Sequence, residues 1–161
     1  MAESLLLSNT GDRRIIYDEL VPQIDALVSG EADLIANLAN IAAVLKEAFD
    51  FFWVGFYFAK GDQLVLGPFQ GPLACTRINF DQGVCGHAYT TGETTIVANV
   101  DEFPGHIACS SAARSEIVVP IFGRNGEVFG VLDVDSDQLD DFSQIDADGL
   151  GQVVKIIERS I

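Results

Sequence analysis

Two stretches near the start of the chain repeat apolar residues at helical spacing. Ile15, Ile16, Leu20, Ile24, Leu27 and Val28 recur with a period of roughly 3.6 residues, and so do Leu34, Ile35, Leu38, Ile41, Ala42 and Leu45. Ser29-Gly30 separates the two predicted helices, and the second ends near Phe49-Asp50. Pro22 lies inside the first and is expected to kink it or mark an early turn. From Trp53 to Phe58 the period falls to about two and the residues become aromatic and β-branched, which predicts a strand. Lys60-Gly61-Asp62 is turn chemistry, and Gln63 to Phe69 returns as a second strand. Val84 to Thr91 reads as a short helix and Thr94 to Ala98 as a short strand. Ser115 to Phe122 and Val128 to Val134 form a hairpin across Arg124-Asn125-Gly126. Ser143 with Asp146 is a capping-box pattern, opening a last helix whose apolar face is Leu150, Val153, Val154 and Ile157.

This order predicts an α+β fold: one domain over 1–161, with an antiparallel sheet and the N- and C-terminal helices packed on one of its faces. Residues 1–50 form the helical N-terminal segment, 51–136 the sheet and its loops, and 143–159 the last helix. The length of 161 residues and hydrophobic fraction of 48% suit a single core that needs no disulfide to be stable. Nine Lys and Arg against 24 Asp and Glu give a net charge of −15, which argues against a nucleic-acid or anionic-membrane partner. No apolar run approaches the roughly 20 residues of a membrane span, and Met1-Ala2-Glu3-Ser4 lacks the basic start of a signal peptide. The expected location is the cytoplasm, where cysteines are normally thiols. Paired apolar positions (Ile15 and Ile16, Leu34 and Ile35, Ile156 and Ile157) place apolar residues on more than one helix face, compatible with a homodimer.

The chemistry rests on Cys75, Cys85 and Cys109, none of them in a C-x-x-C pair. A free cysteine is most often a buried small hydrophobe. Here all three lie in or beside Gly- and Pro-rich segments, and loop cysteines held by a scaffold are well placed to react. One cysteine as nucleophile and another as its resolver gives a reversible thiol–disulfide cycle. His87 and His106 stand close to Cys85 and Cys109 and suit either a structural role or a thiol partner; their spacings match no short zinc pattern. Glu116 opens an otherwise apolar strand, and Asp133 and Asp135 share one face of the next. The hairpin brings these carboxylates to one sheet end, an arrangement that repels itself and that function commonly explains. Such a cluster suits an ammonium-bearing ligand and, where burial raises a pKa, proton delivery. Trp53 and Tyr57 share a strand face and can wall an apolar pocket, although Tyr57 serves equally as core.

Seven stretches carry a family resemblance: EADLIANLANIAAVLKEAF (31–49), FWVGFYF (52–58), LVLGPFQGPLACTRI (64–78), GVCGHAY (83–89), FPGHIACSS (103–111), SEIVVPIF (115–122) and GVLDVDS (130–136). Together they resemble the free-methionine-R-sulfoxide reductases, over nearly the whole chain. The resemblance implies a GAF-like fold and a substrate of free L-methionine (R)-S-oxide. It implies that Cys109 attacks the sulfoxide, that Cys75 forms a disulfide with it, and that Cys85 is the third family cysteine. Trp53, Glu116, Asp133 and Asp135 fall at substrate-pocket positions, Tyr57 is expected beside Trp53 from its place on the strand face, and the backbone around Ile107 and Ala108 is expected to meet the substrate carboxylate. A thioredoxin-type reductant is implied as partner, with no metal or organic cofactor. Ser110 stands where the family often has an acidic residue, and Arg114 where smaller or amide residues are frequent. Two other readings use the same residues differently. A GAF sensory module that binds a small ligand leaves the loop cysteines and carboxylates idle. A thiol peroxidase or redox switch needs Cys109 and Cys75 but not the acidic cluster.

Overall fold

The computed structural model describes residues 4–161, so Met1 to Glu3, part of the stretch read for a signal peptide, lie outside the described residues. Asp12 and Asp33 each turn a side-chain oxygen onto a first-turn N–H, of Arg14 and Ala36, and so start α1 (Arg13–Val28) and α2 (Leu34–Phe49). Then follow β1 (Trp53–Lys60), β2 (Gln63–Gln70), β3 (Arg77–Asn79), α3 (Gly83–Thr91), β4 (Thr95–Val97), a 3-10 turn (Val100–Glu102), β5 (Ser115–Phe122), β6 (Val128–Ser136) and α4 (Gln144–Glu158). The strands form one six-stranded sheet in the order β3-β2-β1-β6-β5-β4, each neighbouring pair antiparallel.

Alternation along the central strands sends side chains to two different cores. Val54 and Phe56 of β1, Ile117, Val119 and Ile121 of β5, and Leu132 and Val134 of β6 pack under α1, α2 and α4. The terminal helices therefore cover one face, as the element order predicts. The opposite face, with Trp53, Tyr57, Val118 and Val131, packs against α3 and its flanking loops. Asp146 fastens α1 to α4: it completes the capping box with Ser143 and accepts hydrogen bonds from Arg13 (3.2 Å) and Tyr17 (3.0 Å). The Arg13 guanidinium and the Asp146 carboxylate form a pair of which Asp146 is almost fully buried.

The structure departs from the sequence reading in four places. Pro22 neither breaks nor ends α1, which runs unbroken to Val28. The hydrogen bond that proline deletes would go to the carbonyl of Asp18, an exposed residue, where water can substitute, and burial of Leu20 and Ile24 offsets the rest. Residues 4–12 are not helical, so helix begins only at Arg13. The three-residue strand β3 and the 3-10 turn carry too few residues for a periodic signal. Ile156 and Ile157 are both buried within the subunit, so that pair asks for no second copy, whereas Ile15 and Ile35 are exposed. Among the described residues no helix is long and apolar enough to cross a membrane.

Candidate active site

The α3-side face of the sheet brings the acidic residues together by strand register. Trp53 pairs with Asp135 and Asp135 with Glu116, and one step along Gly55 pairs with Asp133 and Asp133 with Val118. Period two then places Glu116, Asp133 and Asp135 on one face at one sheet end. α3 closes over them. Its first turn begins at Gly83, whose N–H donates to the carbonyl of Gly105 (3.1 Å) and so joins α3 to the 103–109 loop. Gly86 permits the approach, since a Cβ there would lie 2.8 Å from the carbonyl oxygens of Asn79 and Phe80. Val84, Cys85 and Ala88 are the inward residues of α3.

The result is a narrow cleft, open to solvent, whose lining includes Trp53, Tyr57, Cys85, Ile107, Cys109, Glu116, Asp133 and Asp135. Cys75 is disulfide-bonded to Cys109, with 5.2 Å between the Cα atoms, and follows Ala74, itself a lining residue. Ala108 alone among the sequence-picked residues turns to solvent and does not line the cleft. Within that loop the N–H groups of His106 and Cys109 donate to the carbonyls of Phe103 (3.1 Å) and Ile107 (3.0 Å). The N–H groups of Ile107 and Ala108 have no such partner among the described residues.

Burial sets the electrostatics. Glu116 and Asp133 are 7% and 6% exposed, and Asp135 is partly exposed to the cleft. Among the described residues none of the three forms a salt bridge. Desolvation pushes all three carboxyls up. Asp133 rises to about 6 through burial, tempered by hydrogen bonding to Glu116 and Cys85. Glu116 goes well above the ordinary carboxylate range, because burial is compounded by the neighbouring charges of Asp133 and Asp135. The three carboxyls together therefore hold on to protons that isolated carboxyls would release. The Oδ1 of Asp133 is buried and accepts no hydrogen bond, an unmet acceptor that is costly in an empty site and useful in an occupied one.

Cys85 is a free thiol, buried, 3.9 Å from a Glu116 oxygen. Burial and the adjacent carboxylates hold its pKa well above that of an ordinary thiol. It stays a poor nucleophile, and the structure sets it in the cleft floor.

Trp53 and Tyr57 do more than wall the cleft. The Trp53 indole N–H donates to the carbonyl of Pro72 (3.1 Å), and the Tyr57 hydroxyl donates to the carbonyl of Cys75 (2.8 Å). Both aromatic residues thus tether the segment that carries Cys75. Burial, then the nearby acids, raises the phenol's pKa and keeps Tyr57 a donor. Gly55 makes room: a Cβ there would fall 2.6 Å from the Trp53 ring and closer still to Phe69. The indole accordingly lies stacked between Tyr57 and Phe69, with ring centroids 6.0 and 5.3 Å away.

Several lining residues carry no warning in the sequence. Leu73, Ala74 and Ile78 reach the cleft only because β3 folds back along β2. His106 and Ser110 line it, whereas His87 is exposed with its ring edge-on to Phe103, and Arg114 is exposed outside the lining. His106 thus shares the cleft with Cys85 and Cys109 while His87 does not, so the two histidines are not brought together with the cysteines around one metal position.

Comparison with known proteins gives one consistent picture. The GAF-domain family model matches residues 29–161. The chain is 53% identical to GAF domain-containing protein A of Dictyostelium discoideum, covering 99% of this chain and 100% of that protein. It is 44% identical to the free methionine-R-sulfoxide reductase of Escherichia coli, covering 89% and 87%. Among solved structures it is similar to the Neisseria meningitidis free methionine-R-sulfoxide reductase in complex with its substrate, at 55% identity and TM-score 0.94, covering 98% of this chain and 94% of that one.

Proposed function

The chain belongs to the GAF-domain family and, within it, to the free methionine-R-sulfoxide reductases, and from that premise we propose that it reduces free L-methionine (R)-S-oxide to methionine. The observation that carries the reading is the Cys75–Cys109 disulfide beside a cleft floored by three carboxyls of raised pKa.

Cys109 enters the cycle as the thiolate and attacks the sulfoxide sulfur. Negative charge grows on the sulfoxide oxygen, and Glu116, which holds its proton through burial and its acidic neighbours, is suited to supply it. The hydroxyl oxygen then passes from the substrate sulfur to Cys109 Sγ: the substrate S–O bond and the Sγ–S bond formed by the attack both break, the substrate sulfur keeps the electron pair as methionine leaves, and Cys109 is left as a sulfenic acid. The Cys75 thiol displaces that oxygen as water and forms the disulfide. A thioredoxin-type dithiol then returns both cysteines to thiols and is itself oxidised. The net reaction consumes two electrons and two protons and yields methionine and water. A cytoplasmic setting supplies such a reductant.

Asp133 and Asp135 are assigned the substrate ammonium, the unmet Oδ1 of Asp133 being one acceptor for it. The free N–H groups of Ile107 and Ala108 are assigned its carboxylate, and Trp53 and Tyr57 flank its methylsulfinyl end. Specificity for the free amino acid follows, because a peptide bond at the α-nitrogen removes the charge that the buried acids need. No step requires a metal or organic cofactor.

The test is NADPH consumption with thioredoxin, its reductase and each sulfoxide epimer in turn, with Cys109→Ser beside the parent protein. Turnover of the R epimer alone, lost in the variant, is the expected result. Turnover of neither epimer by the fully reduced protein would overturn the assignment.

A further inference from the structure

Cys85 takes no step in the cycle above, yet it sits against two acids that do. Its Sγ, one oxygen of Glu116 and one oxygen of Asp133 all lie within 4.8 Å of one another, and all three residues are buried. The Sγ–Glu116 separation of 3.9 Å is near the edge of a tetrahedron around a metal ion, about 3.5 Å for bonds of roughly 2.0–2.3 Å. A thiol and two carboxyls close together would not by themselves make a site. The independent pointer is Asp133, 6% exposed, whose Oδ1 has no hydrogen-bond partner, while the residue lines the open cleft. A buried acceptor left unsatisfied on a residue that lines an open cleft beside two other acids calls for a cation or a donor from outside.

We propose that Cys85, Glu116 and Asp133 form a three-ligand site for a divalent transition metal of the zinc class, entered through the cleft. The donor set gives the class. One sulfur with two oxygens suits a borderline ion such as Zn²⁺ or Co²⁺ and disfavours Mg²⁺ and Ca²⁺, which take oxygen alone. Three protein ligands leave a fourth position facing the cleft, for water or Asp135, which lines the same cavity. The site is inhibitory and not catalytic: a metal there occupies Glu116 and Asp133 and excludes the substrate. That last consequence rests on the function proposed above, whereas the metal site does not.

The oxidised protein gives a clean test, because with Cys75 and Cys109 bonded together Cys85 is the one free thiol. The protein is titrated with Co²⁺ alone, without reductant. Binding of one equivalent is expected, with a thiolate-to-cobalt charge-transfer band in the near ultraviolet that Zn²⁺ abolishes on addition. Cys85→Ser should lose the band. Asp133→Asn keeps the thiol and should weaken binding at least tenfold, so its result stands even where the serine variant folds poorly. No band at millimolar Co²⁺, or a band of unchanged affinity in Asp133→Asn, overturns the site. Zn²⁺ should further raise the apparent KM for free methionine sulfoxide in the reduced enzyme. If the cobalt band appears but Zn²⁺ leaves turnover unaffected, the metal site stands and the substrate assignment to these acids fails.

Discussion

At Asp133 burial raises the carboxyl to about 6, and that displacement acts on stability as well as chemistry. A carboxyl whose folded pKa exceeds its unfolded value binds its proton more tightly when folded. Its contribution to stability is present below the unfolded pKa and is lost as pH rises through about 6. The cost at pH 8 is about 2–3 kcal/mol for a shift of this size. Asp133→Asn keeps the shape and removes the ionisation. We expect its melting temperature to match the parent near pH 4 and exceed it by roughly 5 °C at pH 8, while kcat/KM falls at least tenfold, as thermal melts and turnover at both pH values will show. A variant both less stable at pH 8 and fully active would contradict this. Tyr57 acts differently, through its hydroxyl on the Cys75 carbonyl. Tyr57→Phe removes a hydrogen bond of about 1 kcal/mol, and disulfide closure, followed by thiol quenching after one turnover, should slow about fivefold. The clustering of Glu116, Asp133 and Asp135 was legible from period two and one hairpin turn. The Tyr57 and Trp53 tethers were not, because each joins residues 18 or 19 positions apart and no local pattern records which carbonyl a distant donor will find.

Among the elements, α4 bears on the site from the far side of the sheet. Its capping box, read directly from Ser143 and Asp146, also holds Arg13 and Tyr17 of α1. Removing Asp146 leaves the buried Tyr17 phenol unpartnered, takes one of the two acids from the Arg13 guanidinium, which keeps Asp141, and breaks the capping box. Asp146→Ala should therefore cost about 3 kcal/mol in urea unfolding, with turnover per folded molecule unchanged, since no residue of α4 lines the cleft. The β5–β6 hairpin was evident from Arg124-Asn125-Gly126. Strand β3 was not, since Arg77–Asn79 is short and only its central Ile78 is buried. That omission hid Leu73, Ala74 and Ile78 from the predicted cleft. Pro22 sets no early turn, because the local rule for proline ignores tertiary burial on the opposite face of α1.

For the whole molecule, the terminal helices and one sheet face supply the rigidity, and the other face is left to host poorly solvated acids. A GAF-type scaffold alone does not dictate activity; the acids and the cysteine pair distinguish this one. Sequence reasoning reached the architecture because the helices and central strands are long and periodic, and it reached the acids because they interrupt apolar strands. The central claim is that Cys109 takes the oxygen of a free methionine sulfoxide and Cys75 completes the disulfide. The most direct measurement is a single turnover without reductant: fully reduced protein mixed with one equivalent of the R epimer, then methionine release and thiol loss counted together. One methionine released for two thiols lost, both mapped to Cys75 and Cys109, is predicted, with a trappable sulfenic acid on Cys109 in Cys75→Ser. Methionine release with Cys109 still a thiol, or disulfide formation without methionine, would contradict the account.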